Sequence, residues 1–420
     1  MFSPRLCRGI ANEQGDLAAN PPAEPGAELH LPKQLPTFHF FIMPNSFDVI
    51  VVGVGAVGSA TCYHLAKRGL RVLGLEQFAI PHNLGGSHGN SRQTKIAPYI
   101  GSPYEPIIMR AYELYRELVA ESGQPDIMVK TGFLDVHRNH DFPGYQTPTK
   151  YFERLDLQEI RRRFPQFHLE EPYWAAWDPE GALLRPELTI TTYVRLASER
   201  GAQIHGHSTV RDWRVERGGV TVQTDRDTFS ADRIVFCAGP WTGKLLKDLG
   251  LRMTANRMCF GWFWPLRNAQ AFTPEFMPSW CIDDDPGIYY GFPMMTDVPG
   301  YKIGLHWAGD EVDPDQFNRA PTAEDVERMR IGLRKFFPDA DGPLLGLRTC
   351  LYDHTSDDVP IIDTHPEQDR VTICGPLCSA GFKFVPAYGE IAADFATTGK
   401  TNLASDFLRI GRLLPKRTPS

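Results

Sequence analysis

FDVIVV, Phe47 to Val52, is an unbroken apolar and β-branched run, the pattern of a strand buried on both faces. Apolar positions then recur at helical spacing through Ala66, and Gly69 closes that helix. RVLGLE follows as a second strand that ends at Glu76, so the segment predicts one βαβ unit of about 30 residues. Farther on, STVRDWRVERGGVTVQTDRDTFSADRIVFCAG reads as a β-meander feeding a strand from Arg233 to Cys237. MCFGWFWPL and GIYYGFP read as antiparallel strands, although plain core would use the same aromatics. In YKIGLH, Ile303 and Leu305 alternate against Lys302, as in a half-buried strand. TAEDVERMRIGLRKFFPD is an amphipathic helix with Pro321 ahead of it and Pro338 ending it. No internal repeat is visible. The first 42 residues carry no such period. ANPPAEPGAELHLPKQLP is rich in Pro, Ala and Gly, and residues 1–46 are expected to form a disordered extension. They lack the basic start and apolar core of a signal peptide, and Glu13, Asp16, Glu24 and Glu28 run against a transit peptide. Met43 is an alternative start, since the fold signal begins right after it.

Gly53, Gly55 and Gly58 stand in GxGxxG spacing between the first strand and the helix. Gly53 permits the tight turn, Gly55 lets the backbone approach a pyrophosphate, and Gly58 lets helix and strand pack closely. The helix N-terminus offers amide donors to phosphate, and Glu76 can accept from ribose hydroxyls. Glycines used only for packing are the bland alternative, but the strand, helix and terminal acid together point to a dinucleotide. The late strand ending in Ala238-Gly239 favours FAD over NAD, because a second segment returns to the cofactor after a long insertion.

The chain has 420 residues, 42% of them hydrophobic, which predicts two to three domains with a sizeable core. A net charge of −7 runs against nucleic-acid binding but leaves room for a local positive pocket. The eight cysteines, Cys7, Cys62, Cys237, Cys259, Cys281, Cys350, Cys374 and Cys378, form no CxxC pair and no zinc spacing. They are expected to be reduced small hydrophobes in a cytoplasmic protein. No run of about 18 apolar residues exists, so no membrane span is expected, and the terminal KRTPS is not a peroxisomal signal.

Four further motifs occur in order: PHNLGGSHGNSR at 81–92, YGFPMMTDVPGYKIGLHWAGDEVDPD at 290–315, TCLYDHTSDDVPIIDTHP at 349–366 and GFKF at 381–384. Together they resemble the monomeric sarcosine oxidase family, which includes N-methyl-amino-acid and pipecolate oxidases, over roughly residues 47 to 412. The resemblance implies FAD held covalently through a cysteine, here Cys350 of TCLY; a buried free thiol is the alternative. It implies that Ser87, Ala238 and Gly239 join Gly53, Gly55, Gly58 and Glu76 in holding the cofactor. His88 and Arg92 match residues beside the flavin ring, where a cation favours the anionic reduced form. Lys302 matches a lysine that promotes reaction with oxygen, which develops negative charge. His306 matches an active-site histidine. Lys383 matches the lysine that binds the substrate carboxylate, and Tyr352 borders the pocket. Lys95 stands where the family has an arginine, so a point charge replaces a bidentate fork; an ordinary surface lysine is the alternative. Ser379 and Ala380 replace a glycine and a histidine in GPLCSAGFKF, which predicts an altered pocket.

The expected fold is α/β, a two-domain flavoprotein: a Rossmann-type FAD-binding domain of the glutathione-reductase-like type plus an antiparallel-sheet substrate domain. The FAD-binding domain is expected over 47–130, 185–255 and 345–412, and the substrate domain over 131–184 and 256–344. The expected function is oxidation of a secondary-amine amino acid, N-methyl or cyclic, with hydride transfer to flavin and peroxide formed from O2, by a monomer that needs no metal. Two alternatives keep the fold: a dehydrogenase with another electron acceptor, or an oxidase of a secondary-metabolite intermediate. A non-catalytic or NAD-binding Rossmann protein is the third, against which Cys350 argues.

Overall fold

Ser46–Val52 forms a strand whose residues alternate between two cores, Val49 and Val51 toward the helices and Ile50 and Val52 toward the opposite face. Burial on both sides is why the run is apolar without interruption. A computed structural model describes residues 46–138, 145, 149–306, 309–378 and 381–415. The expected extension, all but its last residue, therefore lies outside the described residues, as do Ser379 and Ala380.

Ser46–Val52 lies parallel between Val72–Leu75 and Thr228–Phe236 at the centre of an eight-stranded sheet. Gln203–His205 extends the sheet on one side. On the other side Thr228–Phe236 divides its edge. Its first half pairs antiparallel with Gly219–Thr224, which continues to Val210–Glu216, and its second half pairs parallel with Gln368–Cys374. The expected β-meander is thus present. Helices Ala56–Lys67, Pro186–Glu199 and Val385–Thr398 share one core on the helical face, joined there by Glu105–Ser122.

A second eight-stranded sheet runs Leu344–His354, Thr254–Phe263, Tyr301–His306, Gly287–Phe292, Ser279–Asp284, Phe133–His137, Trp174–Asp178, Glu153–Leu155. Every pairing is antiparallel except that of Ser279–Asp284 with Phe133–His137. Leu344–His354 is the edge strand of this sheet, although the boundary expected near 345 groups it with the pieces of the first. It pairs along its length with Thr254–Phe263. Tyr301, Ile303 and Leu305 face a core shared with Trp280, Leu333 and Phe336, whereas Lys302, Gly304 and His306 point to the other face. The helix Ala323–Phe336 covers the core side and begins with a capping box between Thr322 and Asp325. No described helix is long and apolar enough to cross a membrane.

Leu333 is fully buried in that core, and Ile331 on the same helix is 47% exposed. Leu333→Ala is expected to lower unfolding free energy by about 2–5 kcal/mol, and Ile331→Ala to change it by less than about 0.5 kcal/mol, in urea titrations.

Candidate active site

The glycine turn closes on the late strand. Gly53 has φ +89°, and a Cβ there would stand 2.5 Å from the carbonyl oxygen of Cys237. A Cβ on Gly58 would stand 1.8 Å from the Gly53 oxygen, so the turn and the helix leave no room for a side chain. A Cβ on Gly55 meets nothing within 4 Å, because that residue borders a cavity of about 380 Å³. Gly53, Glu76, Ser87, Arg92, Ala238, Gly239 and Tyr352 also line this cavity; Gly58 does not, consistent with its packing task. Glu76 accepts from the amides of Val54 (2.9 Å) and Phe78 (3.1 Å). Burial raises its pKa, and the amide donors work in the opposite direction. An elongated crevice from a helix N-terminus and a buried acid to a pair of late-strand residues fits a dinucleotide.

Arg92 connects the cavity to a cluster of buried charge. Its guanidinium donates to the carbonyls of Ser91 (2.8 Å) and Gly86 (2.5 Å) and lies 6.0 Å from the Phe260 ring centre. Lys302 is 2% exposed and donates to the Gly89 carbonyl (2.7 Å), the Ser91 carbonyl (3.1 Å) and the Ser91 hydroxyl (3.0 Å). Phe260, Phe292 and Trp262 present ring faces to it at 4.3, 4.9 and 5.6 Å. Burial, then repulsion from Arg92, lowers its pKa well below the usual lysine range. The imidazole of His88 packs 5.7 Å from the same Phe260 ring, and burial with Arg92 and Lys302 nearby pushes its pKa down to about 3. Cys350 is buried against Met258 and Phe260, and does not line the cavity, although its neighbours Leu351 and Tyr352 do. Burial raises the thiol's pKa, opposed by Arg92 and Lys302.

One lateral row of the second sheet carries the site sideways: Phe260, Gly304, Tyr290, Cys281 and Asp135 stand opposite one another on successive strands. A Cβ on Gly304 would lie 2.3 Å from the Tyr290 ring, so the glycine makes room for that tyrosine. Tyr290 and Tyr352 are hydrogen-bonded neighbours, and burial raises the pKa of both. The His306 ring nitrogen is 3.4 Å from the Tyr352 hydroxyl. Burial, then Lys383 and Lys95, pushes His306 down to about 3, which places both lysines within electrostatic reach. Lys383 is buried and packs 5.5 Å from the Phe384 ring centre. Lys95 forms a 2.7 Å ion pair with Asp135.

Every candidate residue except Ser379 and Ala380 is thus described, and two groups emerge: one along the cavity, the other on the second sheet's inner face. Residues not anticipated are Tyr290, Asp135 and Glu187. The Glu187 carboxylate accepts from the amides of Gly89 (2.6 Å) and Asn90 (3.1 Å) and so holds the loop that holds Lys302. Glu187 stands in the first turn of the helix Pro186–Glu199, a position that carries no site signal in the sequence.

Comparison with known proteins gives the family. Residues 48–395 match the model of the family described as FAD dependent oxidoreductase. The monomeric sarcosine oxidase of Streptomyces avermitilis is 36% identical, covering 86% of this chain and 96% of the relative. The N-methyl-L-tryptophan oxidase of Yersinia pestis is 33% identical, covering 83% and 95%. Among solved structures, NikD, an unusual amino acid oxidase essential for nikkomycin biosynthesis, is 26% identical, with a TM-score of 0.76 over 87% of this chain and 97% of that one. The chain belongs to the FAD dependent oxidoreductase family. It is a flavoprotein enzyme.

An unfolded histidine has a pKa near 6.5, whereas folded His88 sits at about 3. Between these values the unfolded chain binds the proton first, so stability rises with pH and is lost on acidification. His88→Asn is expected to flatten this dependence between pH 6 and 4 by up to about 1.4 kcal/mol per pH unit, measured by urea unfolding of the flavin-loaded protein.

Proposed function

We propose that this enzyme oxidises the C–N bond of a secondary-amine amino acid, N-methyl or cyclic, and that O2 is its electron acceptor. The carrying observation is the convergence of Lys302, Arg92 and His88 on the Phe260 ring beside Cys350. Bound FAD supplies the redox chemistry, accepting two electrons from the amine and passing them to oxygen. Gly53, Gly55 and the amides after them would hold its pyrophosphate, Glu76 its ribose, and Ser87, Arg92, Ala238 and Gly239 the remainder. His88 stands neutral near the ring, beside the cation Arg92. Cys350 would carry the covalent link; Arg92 and Lys302 favour its thiolate, although burial outweighs them and raises the thiol's pKa.

The substrate would bind on the inner face of the second sheet. Lys383 is the cation for its carboxylate, and a charge-assisted bond there offsets desolvation. Tyr352, with His306 and Tyr290 beside it, borders the amine. His306 is neutral above about pH 3, so it can accept a hydrogen bond from a substrate N–H. Lys302 makes three hydrogen bonds, which use the three N–H bonds of an ammonium. Burial and Arg92 hold that proton weakly, so negative charge developing nearby strengthens its hold. That is the response needed while oxygen is reduced. A monomer in a reducing compartment is the simplest setting: the described cysteines are all buried and free.

Peroxide release from a panel of N-methyl and cyclic amino acids tests the reading. Lys302→Met should slow oxygen consumption by about 100-fold or more, yet keep anaerobic flavin bleaching by the same substrate within a few-fold. Equal slowing of both half-reactions would make Lys302 a positioning group instead. A panel that bleaches flavin but releases no peroxide would favour the dehydrogenase.

Cys350→Ala should release all flavin on acid precipitation, while the parent retains it on the peptide containing residues 349–352. Flavin still covalently attached to Cys350→Ala would assign the link elsewhere.

A further inference from the structure

Lys95 is the second lysine of the substrate region, and its charge is already matched. Its ammonium lies 2.7 Å from Asp135, and the two side chains are only 12% and 9% exposed. The Tyr145 hydroxyl donates to the same Asp135 oxygen at 2.6 Å, and His137 stands 3.5 Å from the other. The Lys95 ammonium also covers the Phe133 ring at 4.1 Å. Burial alone would discharge both groups, but each overrides it in the other: Asp135 raises the pKa of Lys95, and Lys95 lowers that of Asp135.

The pair sits on the substrate side. Asp135 stands opposite Cys281, and Cys281 opposite Tyr290, in the row that leads to Gly304 and Phe260. Gln93, two residues before Lys95, is 3.1 Å from the Cys281 sulfur. A carboxylate entering this region would have to compete with Asp135 for Lys95. The exchange substitutes one carboxylate for another, and it leaves Asp135 ionised in a water-poor wall. An unpaired buried charge is far costlier than a pair, so the exchange is unfavourable.

We propose that Asp135 is a specificity-determining positioning residue, which holds Lys95 in a hydrogen-bonded ion pair and keeps it from the substrate's carboxylate. Carboxylate binding then rests on Lys383. The inference rests on the reading that the inner face of the second sheet is the substrate site. Its consequence is a pocket matched to an amine with one carboxylate, in which the lysine at position 95 serves the wall and not the ligand.

The test uses the flavin-loaded enzyme and two unoxidisable probes, cyclopentanecarboxylate and its neutral amide, titrated by flavin absorbance at constant ionic strength. Lys383→Met should weaken the carboxylate strongly; if it does not, or if the carboxylate leaves the flavin spectrum of every variant unchanged, the substrate-site reading fails, and the proposal with it. With that reading standing, Asp135→Asn frees Lys95 and should tighten the carboxylate about tenfold, with the amide unchanged. Adding Lys95→Met should erase the gain. A gain that is absent, that extends equally to the amide, or that survives Lys95→Met overturns the proposal. Should Asp135→Asn fail to fold, Lys95→Met/Asp135→Leu removes both charges together, a replacement that buried pairs often tolerate. It should bind the carboxylate within about twofold of the parent, and a loss like that of Lys383→Met would overturn the proposal.

Discussion

A buried ammonium has to be surrounded by acceptors, and Lys302 meets that requirement only through the loop that crosses it. Gly89 and Ser91 supply its three oxygens, and Glu187 holds the amides of Gly89 and Asn90 in turn. The same loop gives the Gly86 carbonyl to Arg92 and the Gly85 carbonyl to the amide of Leu351, one residue from Cys350. One desolvated lysine therefore ties the segment after the first βαβ unit to the face of the second sheet that carries it. The cavity lined by Gly86 and Arg92 and the sheet face that carries Lys302 are held in register by that tie.

The neighbouring charged groups follow the same rule and meet acceptors. Lys95 has Asp135, and Arg92 has two carbonyls. The histidines take the other solution and stay neutral, His88 and His306 both held near pKa 3 by burial and neighbouring cations. Lys302, Lys95 and Arg92 are thus held by acceptors, while His88 and His306 are neutral beside them.

What could be read in the chain was what short spacing encodes. Gly53, Gly55, Gly58 and Glu76 lie within one βαβ unit, and the turn at Ala238-Gly239 follows a strand that announces itself by its apolar run. Lys302 was legible as one face of a strand because Ile303 and Leu305 alternate against it, whereas His306 was legible only through the family resemblance. Asp135 was not legible, since its pairing with Lys95 depends on packing between segments 40 residues apart that lie in different sheets. Tyr290 was hidden among aromatics that serve core and site alike. The sheet membership of Leu344–His354 was equally hidden, because alternation states that a strand has two faces and not which neighbour it will join.

That edge strand also bears on how the molecule comes to exist. The second sheet needs Phe133–His137, Thr254–Phe263 and Leu344–His354, and the first needs Ser46–Val52 and Gln368–Cys374. Neither can close until nearly the whole chain has left the ribosome. Contacts so distant in sequence slow folding and leave strand edges open while synthesis proceeds. The long apolar edge of Thr254–Phe263, waiting for its partner, is the surface a chaperone would need to guard.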